Sequence, residues 1–116
     1  MTEKDLTKAV RHILKTAGVW HYKHWQGPMS SPGVSDIIGI RSFSVREILE
    51  MEHLENVGVF FACELKKEGG KATEAQERFI RKVRMNGGIG FVADNVDAVI
   101  DRLYLRRWFL PLGNNP

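Results

Sequence analysis

Apolar residues recur at three- and four-residue spacing at the start of the chain, where Leu6, Ala9, Val10, Ile13, Leu14 and Ala17 form one stripe. This spacing predicts a helix over Thr2–Ala17, capped by Thr2 and stopped by Gly18. Glu3 precedes Leu6 by three residues and Val10 by seven, so it lies on or beside the apolar stripe, an odd place for a carboxylate. The β-branched and aromatic run Val19–Trp25 predicts a strand, and the Gly, Pro and Ser content of 26–35 predicts a loop. A short apolar strand is expected over Asp36–Ile40, opening on an acid. Val45, Ile48, Leu49 and Leu54 have helical spacing, which predicts a helix over Ser44–Asn56 with Ser44 as a cap. Val57–Lys66 is the strongest strand and ends in charge.

A Gly-containing basic loop, Lys67–Ala72, leads into a helix expected over Thr73–Met85, with Phe79, Ile80 and Val83 inward and Gly87 and Gly88 at its end. Ile89–Ala93 reads as a strand and Val96–Arg106 as a third helix, with Val96, Val99, Ile100 and Leu103 inward. The tail carries Trp108, Phe109, Leu110 and Leu112. This order predicts an α/β fold, a mixed sheet with helices against it. At 116 residues the chain suits a single domain spanning 1–116, because two cores would be starved of apolar surface.

Composition narrows the classes. Apolar residues at 43% and charged residues at 27% give a globular balance. The single cysteine, Cys63, excludes an internal disulfide framework and a cysteine-rich zinc site, and its apolar neighbours make it a buried hydrophobe. No apolar run is long enough to cross a bilayer, and the charged N-terminus carries no signal-peptide apolar region, so an intracellular, cytoplasmic protein with no membrane partner is expected. Net charge is only +3. Its distribution says more: Leu65 to Arg84 holds seven Lys or Arg against three Glu, a surplus that either faces a polyanion or is a solvated basic helix face. The four histidines show no metal-binding spacing, and Gly69-Gly70-Lys71 lacks the full phosphate-loop spacing, so nucleotide hydrolysis is rejected.

Glu64 and Lys66 sit two apart at the end of a strand, so they project to one face while Leu65 points into the core. Alone, this pair reads as two charged side chains exposed where the strand leaves the core. Asp36 alone reads as a cap or turn residue. If the Asp36 strand pairs with the Glu64 strand, however, the two carboxylates meet, and they repel unless a cation neutralises them. Magnesium is the natural candidate, because it prefers hard oxygen ligands and keeps several waters. Such an ion lowers the pKa of a bound water and offsets charge on a phosphate, and Lys66 nearby would stabilise the transition state.

In this order the motifs Gly33-Val34-Ser35-Asp36-Ile37-Ile38-Gly39, Glu64-Leu65-Lys66 and Lys71-Ala72-Thr73-Glu74-Ala75-Gln76-Glu77-Arg78-Phe79 resemble the VRR-NUC (virus-type replication-repair nuclease) branch of the PD-(D/E)xK nucleases. Gly87-Gly88-Ile89-Gly90-Phe91-Val92 and Val96-Asp97-Ala98-Val99 also fit, and the resemblance runs from Glu3 to about Leu103. It implies a restriction-endonuclease-like sheet, Mg2+ (or Mn2+) held by Asp36 and Glu64 with help from the Leu65 backbone carbonyl, and a catalytic Lys66. Gln76 matches the family's helix glutamine, although Thr73-x-x-Gln76 is equally a capping box. Glu3 matches an acidic residue directed at the metal, although a first-turn Glu also stabilises the helix dipole. The segment from Ser42 to Asn56 is longer than the tight hairpin expected of compact members.

The resulting expectation is a metal-dependent DNA endonuclease with Lys23, Lys67, Lys71, Arg78 and Lys82 drawing substrate phosphates. The resemblance implies branched or four-way-junction DNA, cut in replication, recombination or repair in a bacterial or phage-infected cell. Apolar residues of the 42–56 segment and of the tail would join two copies as a homodimer. The alternatives are a catalytically silent DNA-binding module and a protein-interaction module on the same fold.

Overall fold

The computed structural model describes residues 1–24, 33–44 and 55–109. The elements run α1 (Glu3–Thr16), β1 (Trp20–Lys23), β2 (Ile37–Ser44), β3 (Asn56–Leu65), α2 (Glu74–Met85), β4 (Ile89–Ala93), α3 (Val96–Arg102) and α4 (Arg106–Phe109). The strands form one mixed sheet in the order β1-β2-β3-β4, with the first two pairings antiparallel and the last parallel.

Strand alternation divides the core between two faces of this sheet. Ile37, Phe61, Cys63, Leu65, Phe91 and Ala93 pack against Leu6, Val10 and Leu14 of α1, Val99 of α3 and Leu103 just after it. Their neighbours Ile38 and Ala62 point the other way, against Val83 and Phe79 of α2. The result is a sheet flanked by helices on both faces. Glu64 follows Ala62 by two residues and so belongs to the α2 face, as does Asp36, two residues before Ile38. Among the described residues no helix is long and apolar enough to cross a membrane.

Thr2 caps α1 and Thr73 caps α2, each in a reciprocal capping box. The three longer helices all end in the same way. The backbone N–H groups of Val19, Gly88 and Leu105 reach back to the carbonyls of Leu14, Val83 and Ile100, the 6→1 bond of a Schellman motif. The residue in the left-handed position is Gly18 in α1 and Gly87 in α2, but Tyr104 in α3, at φ 57°.

Several boundaries differ from the sequence reading. The third helix was expected to run to Arg106; it stops at Arg102, turns at Tyr104 and resumes as the short α4. β2 begins at Ile37, with Asp36 in the bend before it, and it extends past Ile40 to Ser44. Ser44, the expected helix cap, pairs with Asn56, so both ends of the expected 44–56 helix belong to strands. The remainder of that helix, residues 45–54, lies outside the described residues, as do Trp25 and the tail from Leu110. β3 ends at Leu65, although the Lys66 N–H still donates to the Ala93 carbonyl at 2.9 Å.

The extension of β2 has a chemical cause in Arg41. Its side chain is buried and donates from Nε to the Leu103 carbonyl at 2.7 Å and from a terminal nitrogen to the Tyr104 carbonyl at 3.2 Å. The guanidinium also lies over the Phe43 ring, 4.4 Å from its centroid. A cation thus meets the carbonyl end of α3, where the helix dipole favours it. Burial and the nearby Arg107 hold the Arg41 pKa below its ordinary value.

Candidate active site

The β2–β3 register pairs Ile37 with Cys63. One step further along the same ladder, Asp36 stands opposite Glu64. The Leu65 N–H donates to Asp36 Oδ2 at 2.9 Å, which fixes the carboxylate against the end of β3. On its other side the Asp36 carbonyl accepts from the His24 N–H at 2.7 Å, so β1 also holds the bend. Gly33 presses the preceding turn onto the start of α2: a Cβ there would lie 2.4 Å from the Ala75 carbonyl oxygen. With φ at 85°, the position suits glycine on both counts.

Glu64 is 1% exposed, and its Oε1 has no hydrogen-bond partner among the described residues. Its carboxyl pKa is pushed up to about 9, chiefly by burial. A hydrogen bond to Asp36 and the Asp36 charge push in the same direction, as does Glu3 more weakly, while Lys66 pulls it down. Burial also raises the Cys63 thiol pKa, with the Asp36 and Glu64 charges adding to it. Burial beside Asp36 therefore favours the neutral form of Glu64 below about pH 9.

These groups open onto a cleft of about 660 Å³ between the sheet end and α1. Asp36, Glu64, Leu65, Lys66, Gln76, Glu3 and Lys23 all border it. Leu65 sends its side chain into the opposite core, so it presents backbone to the cleft. Gln76 does cap α2, its Oε1 accepting from the Thr73 N–H at 2.8 Å, which leaves its amide nitrogen as the group available to a substrate. Glu3 is exposed beside the apolar stripe of α1. Lys67, Lys71, Arg78 and Lys82 are exposed but lie outside the cleft, and Arg78 faces Glu74 at 3.9 Å.

Lys4, Thr7, Lys8 and Arg11 of α1 also line the cleft, and the sequence reading did not single them out. The signal was there: Lys4, Lys8, Arg11 and Lys15 recur at helical spacing beside the apolar stripe. Ser35 and His24 were likewise missed as neighbours of Asp36. The Ser35 Oγ and His24 Nε2 are buried and, among the described residues, without a hydrogen-bond partner.

The donor set fits a hard divalent cation. Two adjoining carboxylates, one with an orphaned buried oxygen, offer anionic oxygen and need positive charge. Among the described residues no three His, Cys, Asp or Glu side chains gather into a metal-holding group. A site of two carboxylates and backbone suits magnesium, which keeps several of its waters, better than zinc. No family model, curated protein or solved structure matches the chain.

Proposed function

We propose that the chain is a divalent-metal-dependent endodeoxyribonuclease of restriction-endonuclease-like fold, hydrolysing phosphodiester bonds in branched DNA. The observation that carries this reading is Glu64: a buried carboxyl beside Asp36, with an orphaned oxygen and a pKa near 9, at the floor of a cleft rimmed by lysines. Burying a carboxyl beside a second one is costly, and a fold has little reason to do so for stability alone. The sequence resemblance to the VRR-NUC branch points to the same residues.

Asp36 and Glu64, with the Leu65 backbone, would hold Mg2+ or Mn2+. When bound, the ion supplies Lewis acidity to a phosphate oxygen and acidifies a water. The protein's own groups supply the rest. The Leu65 N–H keeps Asp36 oriented without moving it during reaction. Lys66 brings a positive charge to the cleft wall where negative charge grows on the phosphate as the water oxygen adds to phosphorus. Lys23, Lys4, Lys8 and Arg11 attract the flanking phosphates. The ester P–O bond breaks and the leaving oxygen takes a proton.

Paired cuts on a four-way junction by a homodimer extend this reading, and they rest on sequence alone, because residues 45–54 and the tail from Leu110 lie outside the described residues. A cleavage panel tests the proposal: linear, flapped and four-way DNA, each with magnesium, manganese or chelator. Metal-dependent scission of at least one branched substrate supports it. Binding to every substrate without scission under any metal favours the catalytically silent DNA-binding module instead.

A further inference from the structure

The open edge of the sheet carries a second concentration of charge, away from the cleft. β4 is the outer strand beside β3. The Ala93 carbonyl accepts from the Lys66 N–H, so the odd-numbered residues of β4 turn their backbone toward β3, and Gly90 turns its N–H and C=O outward. A groove of about 660 Å³ lies along this edge at Gly88 to Gly90. Arg84 of α2, Arg102 of α3 and Arg106 and Arg107 of α4 line it, and among the described residues Asp101 is its only carboxylate. The cleft is at the other end of β4. Glu64 and Leu65 stand beside Val92 and Ala93, and Ala93 is about 10 Å along the strand from Gly90.

The fold holds these arginines in place. Arg84 Nε donates to the outward Gly90 carbonyl at 2.7 Å. Arg106 Nε donates to Asp101 Oδ1 at 2.7 Å. The Arg102 guanidinium lies over the Phe91 ring, 5.6 Å from its centroid. Because α2 and α3 cover opposite faces of the sheet, Arg84 and Arg102 reach the edge from both sides. In Arg84 and Arg106 the anchor uses Nε, and among the described residues the terminal nitrogens of both make no hydrogen bond. Each presents the planar pair of donors that grips two oxygens of one phosphate. The whole chain carries a net charge of only +3, and this one groove sets four arginines against a single aspartate that Arg106 already engages. Guarding an open edge against strand pairing needs charge alone. Fixed forks serve a ligand whose oxygens are themselves fixed.

We propose that this groove is a second DNA site, which grips backbone phosphates outside the cleft while the scissile bond lies at Asp36 and Glu64. The proposal rests on the nuclease reading for the identity of its polyanion. Phosphates carry no base sequence, so the grip is indifferent to sequence. The groove lacks a carboxylate pair, so it holds DNA without cutting it.

The test is anisotropy of a fluorescein-labelled duplex with the whole chain, in chelator so that no strand is cut, over a series of salt concentrations. Arg84→Ala and Arg102→Ala should each weaken binding about tenfold and lower its salt dependence by about one ion. Arg107→Ala should act in the same direction, and it keeps the test open if the other two variants fail to fold, because Arg107 makes no hydrogen bond among the described residues. Arg81→Ala is the control: it removes an exposed cation of α2 that does not border the groove, and it should change binding far less. Unchanged affinity and salt dependence in the folded groove variants overturn the site, and so does an equal loss in Arg81→Ala, which would make the effect one of diffuse charge. Polyglutamate displacing the duplex as well as unlabelled DNA does would also overturn it, in favour of an acidic protein partner. These assays need no cleavage, so the two readings fail separately. No effect of the arginines with intact magnesium-dependent cutting removes only the groove, and an arginine effect without cutting removes only the nuclease.

Discussion

Asp36 and Leu65 are joined across the β2–β3 ladder by a hydrogen bond of 2.9 Å from the Leu65 N–H to Asp36 Oδ2. That bond links a residue in a bend to the last residue of the central strand. It sets the Asp36 carboxylate beside Glu64 at the edge of the cleft. The geometry of the candidate centre is therefore held by backbone, and a change of side-chain charge need not dismantle it.

The first consequence concerns pH. In the metal-free protein the Glu64 carboxyl titrates near 9, against an ordinary value of 4.5. The folded state holds a proton that the unfolded state has released, so this group's contribution to stability is fully present below about 4.5 and is lost as pH rises through about 9. Urea unfolding in chelator should show wild type losing stability across that window relative to Glu64→Gln, which carries the neutral form at every pH. Added magnesium should stabilise wild type more at high pH than at low pH, because metal and proton compete for the same oxygens. A pH profile identical in the two proteins contradicts the assignment.

Lys66→Ala should lower kcat on the order of a hundredfold while changing the affinity for DNA far less, since a charge acting mainly on the developing transition state affects the chemical step. Single-turnover cleavage beside equilibrium binding separates the two effects. A loss confined to binding makes Lys66 a phosphate contact.

Gln76 serves the α2 cap, and the cleft tests whether it also serves the reaction. Thr73→Ala and Gln76→Ala should each cost on the order of 1 kcal/mol of stability, read by chemical denaturation. Cleavage by the folded protein should slow only in Gln76→Ala. Equal rates in the two variants reduce Gln76 to its capping role.

Arg41→Ala removes the charged donor that ties β2 to the carbonyls of Leu103 and Tyr104. The loss should be roughly 2–3 kcal/mol, seen as a lower denaturation midpoint. Specific activity measured well below the melting temperature should stay unchanged, because Arg41 does not border the candidate cleft. An activity loss at unchanged stability would mean that this corner of the sheet reaches the site.

The contrast between Gly18 and Tyr104 shows what was legible in the sequence. Three helices end in one motif, but only where glycine fills the left-handed position is the stop written in the residue type. The end of α3 depends instead on tertiary partners: Arg41 on the carbonyls of Leu103 and Tyr104, and Leu105 fully buried beyond the turn. β2 ran longer than its apolar run for the same reason, since Arg41 looks like a loop residue until α3 arrives to receive it. The site was more legible. Strand parity placed Glu64 with Lys66, and pairing with β3 brought in Asp36. The basic stripe of α1 went unread because solvated lysines on a helix look alike until a cleft opens beside them.

The central claim is that Asp36 and Glu64 exist to bind a catalytic cation. Cleavage of a labelled four-way junction in magnesium by wild type, Asp36→Asn and Glu64→Gln tests it most directly, with DNA binding measured alongside in chelator. Asparagine can still accept the Leu65 N–H, and glutamine matches the neutral Glu64, so both variants should fold. The account predicts cutting by wild type, a loss of at least about a hundredfold in each variant, and DNA binding no weaker than wild type. Cutting at the wild-type rate by either variant would contradict it.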